Sequence, residues 1–232
     1  MIRFLRPFDP HRIRLLVFDL DGTLIDSRLD LIHSVNAMLQ HIGRPALDGD
    51  VIASYVGDGA PALVRRAVGD TNDEGLFRAA LEYFLGYYRL HKLDHTTVYS
   101  GVAETLANLA VPLNGVQRLM AVLSNKPVNP SRDILHALGL GDFFVRVYGG
   151  NSFTTKKPDP LGVRTILQET SVVADEALMI GDSSVDVLTG RNAGSWTCGV
   201  TYGFAPRSLE DVTPDVLIES PRELEELFRQ LD

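Results

Sequence analysis

The chain has 232 residues, of which 45% are hydrophobic and 22% are charged, an ordinary balance for a globular protein that buries a core. Its formal net charge of −8 at pH 7 argues against nonspecific binding to nucleic acid or to an anionic membrane. A single cysteine, Cys198, excludes an intrachain disulfide bond and fits a reducing compartment. Residues 1–14 match neither a signal peptide nor a membrane span, so we expect a cytoplasmic protein.

Residues 15–27 carry the first chemical signal of the chain. Residues 15–18 form an unbroken apolar run, which is typical of a strand buried on both faces of a parallel sheet. The run ends in Asp19 and Asp21, at the carboxyl end of the strand, where open α/β sheets bind their ligands. Two carboxylates this close repel each other unless a cation, a shared proton or different roles separate them. The segment therefore predicts a Mg²⁺ site.

Only helical patterns follow this segment as far as residue 94. Apolar residues recur at helical spacing over 29–42, and shorter helices are predicted over 50–55 and 61–68. A long helix then carries its apolar face between residues 76 and 88. We therefore predict that residues 26–94 form an inserted, all-helical cap domain.

From Val98 onwards, strand patterns alternate with helical patterns, which indicates a parallel sheet with helices on both faces. The predicted fold class is α/β, with a Rossmann-like parallel-sheet core formed by residues 1–25 and 95–232. Residues 1–12 are expected to be an irregular lead-in. The remaining predicted strands are 119–123, 145–148, 177–180, 195–200 and 216–218, and the remaining predicted helices are 102–110, 129–138, 156–169, 185–193 and 221–231.

Polar side chains follow three of the core strands at their carboxyl ends, and a lysine pair opens a predicted helix. Neighbouring strands are about 4.8 Å apart, so these ends come within reach of one phosphate-sized group. Carboxylates suit Mg²⁺, while a lysine, a hydroxyl and N–H groups suit phosphoryl oxygens. The side chains are Asp19, Asp21, Ser124, Asn125, Asp182 and Asp186, with Lys156 and Lys157 as the lysine pair.

The order of these segments resembles the four sequence motifs of the haloacid dehalogenase-like (HAD) hydrolases, and the resemblance spans nearly the whole chain. The segments are Asp-x-Asp-Gly-Thr at 19–23, Ser-Asn-Lys-Pro at 124–127, Lys-Lys-Pro-x-Pro at 156–160 and Gly-Asp-Ser-x-x-Asp at 181–186.

The resemblance implies a phosphatase mechanism with two distinct carboxylates. Asp19 is implied to be the nucleophile that becomes an aspartyl phosphate. Asp21 is implied to protonate the leaving oxygen and then to activate water. Mg²⁺ would be held by the Asp19 carboxylate, the Asp21 backbone carbonyl and Asp182.

The same resemblance assigns the remaining polar residues. Ser124 and Asn125 would hold the transferring phosphoryl group. Lys157, which directly precedes Pro158, would neutralise Asp19 and the phosphate. Asp186 would support the metal ligands by orienting either metal-bound water or Lys157. Residues 126–127, a lysine and a proline, are interpreted as turn and helix-start residues.

The insertion resembles the cap of the bacterial phosphoglycolate phosphatase group. Gly57 and Gly59 precede a predicted helix start, where backbone amides can receive a substrate carboxylate. Arg65, on the same helix, is a further candidate for that contact. The implied reaction is Mg²⁺-dependent hydrolysis of 2-phosphoglycolate to glycolate and phosphate.

Two alternatives remain open. One is a HAD phosphatase for another small substrate, such as a sugar phosphate or a nucleotide. The other is a non-catalytic HAD protein that binds a phosphorylated metabolite. No lysine occurs between residues 26 and 91, which argues against a Schiff-base enzyme or a hexose phosphomutase of this family. The expected partner is a small phosphorylated metabolite, with no nucleic acid and no membrane, and the sequence does not distinguish a monomer from a homodimer.

Overall fold

The computed structural model describes residues 1–7, 9–69, 72–113 and 115–229, and the chain forms two compact units. Unit 1 contains Met1–Ile25 and Val98–Asp232, and unit 2 contains Asp26–Thr97. The second boundary lies three residues beyond the sequence-based expectation of 94, because Asp30 of unit 2 binds the backbone of the segment that follows residue 94.

Unit 1 is built on a sheet with the strand order β1-β9-β8-β7-β2-β5-β6, and a separate pair, β3 and β4, lies where the chain passes between the units. Within the seven-stranded sheet, β1 is antiparallel to β9, and the other pairings are parallel. This sheet confirms the predicted α/β fold. The strands are β1 (Arg3–Phe4), β2 (Leu15–Phe18), β3 (Ile25–Asp26), β4 (Thr97–Val98), β5 (Leu119–Leu123), β6 (Arg146–Tyr148), β7 (Ala177–Gly181), β8 (Trp196–Val200) and β9 (Val216–Ile218).

The helices divide between the two units, with α1 to α4 in unit 2. Within the described residues, no helix is both long enough and apolar enough to cross a membrane. The helices are α1 (Arg28–His41), α2 (Gly49–Ser54), α3 (Ala60–Val68), α4 (Glu74–His91), α5 (Val102–Leu109), α6 (Val128–Ala137), α7 (Leu161–Thr170), α8 (Ser184–Ala193), α9 (Ser208–Asp211) and α10 (Pro221–Arg229), with 3₁₀ turns at Pro10–Arg12, Gly141–Phe143 and Ala174–Glu176.

Strand β2 is buried on both faces, which explains its unbroken apolar sequence. Leu16 and Phe18 join a core with side chains of α5, α6 and α10. Leu15 and Val17 join a second core with side chains of α7 and α8. Helices therefore cover both faces of the sheet, and its strand ends remain available for a site.

Two predicted elements, the lead-in and the start of α7, differ from the structure. The lead-in is not wholly irregular, because Arg3–Phe4 pairs with β9. Helix α7 begins at Leu161 rather than at residue 156, because two prolines in 156–160 interrupt the helical hydrogen bonding and the Asp159 side chain accepts a bond from the Leu161 N–H. The predicted helix 221–231 is present as Pro221–Arg229, and its last two residues lie outside the described residues.

Asp30 ties together the two ends of unit 2. Its carboxylate is buried and accepts hydrogen bonds from the backbone N–H groups of His95 and Thr96, both at 2.9 Å, and from the Thr96 hydroxyl at 2.7 Å. Asp30, His33 and His95 also offer three potential metal-ligand atoms within 4.8 Å of one another. Because both Asp30 oxygens already accept these hydrogen bonds, we assign the carboxylate to the closure of unit 2.

Replacing Asp30 by alanine is expected to lower the free energy of unfolding by about 2–3 kcal/mol, because the substitution leaves buried donors unsatisfied. Urea unfolding followed by circular dichroism measures the change. Asp50→Ala, at an exposed acid in the same unit, serves as the control and is expected to stay within about 0.5 kcal/mol of the parent protein. Equal stability of the two variants would contradict this role of Asp30.

Candidate active site

Strands β5, β2 and β7 are neighbours, and their register aligns the ends that carry the polar residues. Phe18 lies opposite Val122 on one side and Ile180 on the other. The Asp19 backbone N–H donates to the Ile180 carbonyl at 2.8 Å, which continues the pairing by one residue. Ser124 and Asp182 come two residues after these register positions. The sheet therefore brings the three polar segments to one edge.

Lys157 joins two carboxylates at the centre of this edge. Its Nζ atom lies 2.8 Å from Asp19 Oδ1 and 2.6 Å from Asp186 Oδ1, and the lysine is buried. Burial by itself lowers the pKa of Lys157, but the two carboxylates outweigh it, so the pKa lies above its ordinary value. Lys157 is therefore a permanent cation here, whereas Lys156, beside it in sequence, is exposed.

Burial also changes the pKa of Asp19, the predicted nucleophile. It raises the pKa of the Asp19 carboxyl above its ordinary value, the Lys157 ammonium opposes this shift, and Asp186 adds to it. A carboxylate must be ionised to act as a nucleophile. Lys157 favours the ionised form of Asp19, because its positive charge lowers the pKa that burial raises.

Asp186 is fixed by the start of helix α8. Its Oδ2 atom accepts from the Ser183 hydroxyl at 2.7 Å and from the Ser183 backbone N–H at 3.2 Å, which forms a capping box. A Cβ atom on Gly181 would lie 2.2 Å from Asp186 Cγ, so only glycine fits at the end of β7. One oxygen of Asp186 is thus bound to Ser183 at the start of α8, while the other contacts Lys157.

The buried carboxylate of Asp182 is held by hydrogen bonds from backbone N–H groups. Its Oδ2 atom accepts from the N–H groups of Phe204 at 2.6 Å and Ala205 at 3.1 Å. Gly22 and Gly203 pack against it, and a Cβ atom on Gly203 would lie 2.2 Å from Asp182 Cβ. Burial raises the pKa of Asp182 to about 8, with further contributions from the Asp186 and Asp19 charges.

The carboxylates form a donor set that suits a hard divalent cation. Asp19, Asp182 and Asp186 each offer an oxygen atom, and these atoms lie within 4.8 Å of one another. Mg²⁺ favours oxygen ligands and takes few protein carboxylates. A cation at this position would offset the mutual repulsion that contributes to the raised pKa values of Asp19 and Asp182. The residues present therefore fit Mg²⁺.

Asp21 has a lysine partner, Lys126, which lies in the turn after β5 as the sequence predicts and also reaches the site through its side chain. The Lys126 Nζ atom lies 2.8 Å from Asp21 Oδ1, and both side chains are largely buried. A lysine next to two predicted phosphate ligands was the available sequence signal, but the direction of its side chain depends on the turn after β5.

The turn after β5 is held by several hydrogen bonds. The Ser124 hydroxyl oxygen accepts from the Lys126 N–H at 3.2 Å, and the Asn125 side-chain amide donates to the Lys157 carbonyl at 3.2 Å. The Gly150 N–H donates to the Lys126 carbonyl at 2.9 Å. A Cβ atom on Gly150 would lie 2.3 Å from the Asn125 carbonyl oxygen, so this approach requires glycine. Ser124 and Asn125 are buried at the same strand edge as Asp19.

The other predicted site residues lie in unit 2. Gly57 and Gly59 adopt positive φ angles of 126° and 83° in the turn before α3. Arg65 pairs with Glu74 at 3.2 Å and lies over the Phe77 ring. Arg66, which the sequence analysis did not single out, donates to the Tyr55 carbonyl and pairs with Asp58, and these contacts hold the glycine turn.

Comparison with known proteins places the chain in a family. Residues 16–200 match the family described as Haloacid dehalogenase-like hydrolase. The chain is 37% identical over 221 residues to the phosphoglycolate phosphatase of Chromobacterium violaceum, which covers 94% of this chain and 97% of that protein. It is 36% identical to the phosphoglycolate phosphatase of Vibrio parahaemolyticus, over 93% of this chain and 96% of that protein.

Solved structures show similarity to proteins of the same kind. A crystal structure of a predicted phosphoglycolate phosphatase from Haemophilus somnus superposes with a TM-score of 0.87 and 27% identity, over 93% of this chain and 98% of that chain. A putative phosphoglycolate phosphatase from Lactobacillus delbrueckii gives a TM-score of 0.83 at 25% identity, over 94% and 99%. These similarities confirm the resemblance found in the motifs: the chain belongs to the haloacid dehalogenase-like hydrolases.

Proposed function

We propose that this protein is a Mg²⁺-dependent phosphatase that hydrolyses 2-phosphoglycolate to glycolate and phosphate. The observation that carries the proposal is the buried arrangement of Lys157 between Asp19 and Asp186, with Asp182 in the same carboxylate cluster. This arrangement presents a carboxylate nucleophile beside a permanent cation at the ligand-binding edge of the sheet. The relatives named phosphoglycolate phosphatase support the choice of substrate.

In the proposed reaction, Asp19 attacks the phosphorus atom and forms an aspartyl phosphate. The bond between phosphorus and the glycolate oxygen breaks, and Asp21 gives a proton to that oxygen. Asp21 then takes a proton from water, which attacks the phosphorus atom and releases inorganic phosphate and free Asp19. Lys157 neutralises the negative charge that otherwise keeps a carboxylate and a phosphate apart.

Three groups would hold Mg²⁺: the Asp19 carboxylate, the Asp21 backbone carbonyl and Asp182, with Asp186 supporting Lys157. When bound, Mg²⁺ supplies charge neutralisation and a fixed orientation for the phosphate. Ser124 and Asn125, at the end of β5, would hold the phosphoryl oxygens.

The glycine turn before α3 is proposed to recognise the leaving group. Amides at the N-terminus of this helix would receive the glycolate carboxylate, as anions commonly bind at helix N-termini. Gly57 and Gly59 allow the turn, and Arg66 holds it through Tyr55 and Asp58. Arg65 remains a further candidate, although Glu74 and Phe77 engage its guanidinium in this structure.

A screen of phosphorylated metabolites in the presence of Mg²⁺ tests the substrate. We expect 2-phosphoglycolate to give the highest kcat/KM, because its carboxylate complements the glycine turn. The purified Asp19→Asn variant provides the blank for contaminating phosphatases. A sugar phosphate or a nucleotide as the best substrate would contradict the leaving-group assignment and support the alternative HAD phosphatase.

Asp19→Asn is expected to lower kcat by at least about 10³-fold, because the amide cannot attack phosphorus. Asp142→Asn, at an exposed acid of unit 1, is the control and should retain parental kcat. Borohydride reduction after acid quenching would convert an aspartyl phosphate at position 19 to homoserine, which peptide mass spectrometry detects. Normal turnover by Asp19→Asn would refute the proposed mechanism.

The raised pKa of Asp182 predicts how stability depends on pH in a chelator. Between its ordinary value of 3.8 and about 8, the folded chain holds a proton that the unfolded chain has released. The free energy of unfolding should therefore fall as pH rises through this window, by up to about 1.4 kcal/mol per pH unit. Urea unfolding followed by Trp196 fluorescence at several pH values measures the slope.

Saturating Mg²⁺ is expected to remove most of this loss, since about a hundredfold excess over Kd adds about 2.7 kcal/mol. The stabilisation should grow with pH, because protons compete with the metal for the carboxylates. Asp182→Asn should show a shallower slope and little response to Mg²⁺. If this variant matches the parent in both respects, Asp182 is neither the titrating group nor a metal ligand.

A further inference from the structure

The two lysines of the site have separate partners. Lys157 pairs with Asp19 and Asp186, whereas Lys126 pairs with Asp21 at 2.8 Å. The Lys126 and Asp21 side chains are only 5% and 13% exposed, so little water screens the pair. Lys126 therefore contacts Asp21 from one side of the site, and Lys157 contacts Asp19 from another.

Lys126 reaches Asp21 from a fixed point on the backbone. Its N–H donates to the Ser124 hydroxyl oxygen at 3.2 Å, and its carbonyl accepts from the Gly150 N–H at 2.9 Å. The next turn is held as well, because the Asn151 side chain accepts from the Val128 N–H at 2.8 Å. With its backbone held on both sides, Lys126 can position a carboxylate rather than merely approach one.

Asp21 needs such support because of its place in the chain. It follows β2 by three residues, in a turn where Gly22 has a φ angle of 82°. Its neighbour Asp19 carries the same charge and would push a loosely held carboxylate away. Proton transfer requires a defined heavy-atom distance, and a misplacement of about 1 Å can cost about 10²-fold in rate.

We propose that Lys126 is a positioning residue that acts through Asp21. Its ammonium group holds the Asp21 carboxyl group in one orientation, from which the protonated form gives a proton to the leaving oxygen and the ionised form then takes one from water. This inference rests on the acid/base role given to Asp21 in the proposed function. It assigns Lys126 no contact with the phosphoryl group, which is left to Ser124, Asn125 and Lys157.

A double-mutant cycle tests the proposal, with kcat, KM and the inhibition constant of inorganic phosphate measured on 2-phosphoglycolate or on the best substrate found. Lys126→Met is expected to lower kcat by about 10²-fold, with KM and phosphate inhibition close to parental values. Lys126→Arg, which restores a cation, should recover kcat to within about tenfold of the parent. Lys92→Met, at a lysine of unit 2 whose ammonium group donates to the Arg89 carbonyl, is the matched control and should retain parental kcat.

The cycle is completed in the Asp21→Asn background, where Lys126→Met should change kcat by less than about twofold, because its target is already lost. Losses that multiply in the double variant would overturn the proposal, as would weaker phosphate inhibition in Lys126→Met, which would place the lysine on the phosphoryl group. Parental kcat in Lys126→Met would overturn it too.

Thermal unfolding of each variant separates loss of positioning from loss of fold. If Lys126→Met does not fold, Lys126→Gln replaces it in the double-mutant cycle, because glutamine keeps an N–H donor but lacks the charge. Parental kcat in Asp21→Asn alone would instead refute the acid/base role of Asp21 in the proposed function. If instead the losses of kcat from the two substitutions multiply in the double variant, Asp21 keeps its acid/base role, and only the positioning role of Lys126 is refuted.

Discussion

Four carboxylates, two of them buried and two largely buried, lie at one end of the unit 1 sheet, and the surrounding structure holds them there. Unpaired charges of one sign this close together in a poorly screened environment are strongly unfavourable, so each needs a compensating group. Lys157 compensates two of them and Lys126 a third, while the fourth, Asp182, relies on two backbone N–H groups. Under the proposed function, a divalent cation would offset the negative charge that the two lysines leave uncompensated, so that an anionic phosphate could approach.

Close backbone approach is the means by which these charges are held. Gly181 and Gly203 leave no room for a side chain beside Asp186 and Asp182, and Gly150 brings another loop onto the turn after β5. At each glycine the absence of a side chain allows the backbone to approach closely, so parts of the main chain pack directly against the site.

The sequence predicted the elements whose signal is local. Residues 15–18 identified a doubly buried strand, and the helical spacing of residues 26–94 identified the insertion. A two-residue strand such as β1 has no periodicity to detect, and the start of α7 depends on where the prolines of 156–160 allow hydrogen bonding to resume. The turn position of Lys126 was predicted, but its pairing with Asp21 joins residues 105 positions apart, and no local pattern encodes such a contact.

The buried Asp30 carboxylate in unit 2 has a consequence for how this fold can be varied. By binding the backbone of His95 and Thr96, it joins the beginning and the end of the insertion. A segment whose ends already meet adds little loop-closure entropy to the chain that hosts it. A change in the length of unit 2 between these joined ends therefore places little entropic cost on the sheet of unit 1.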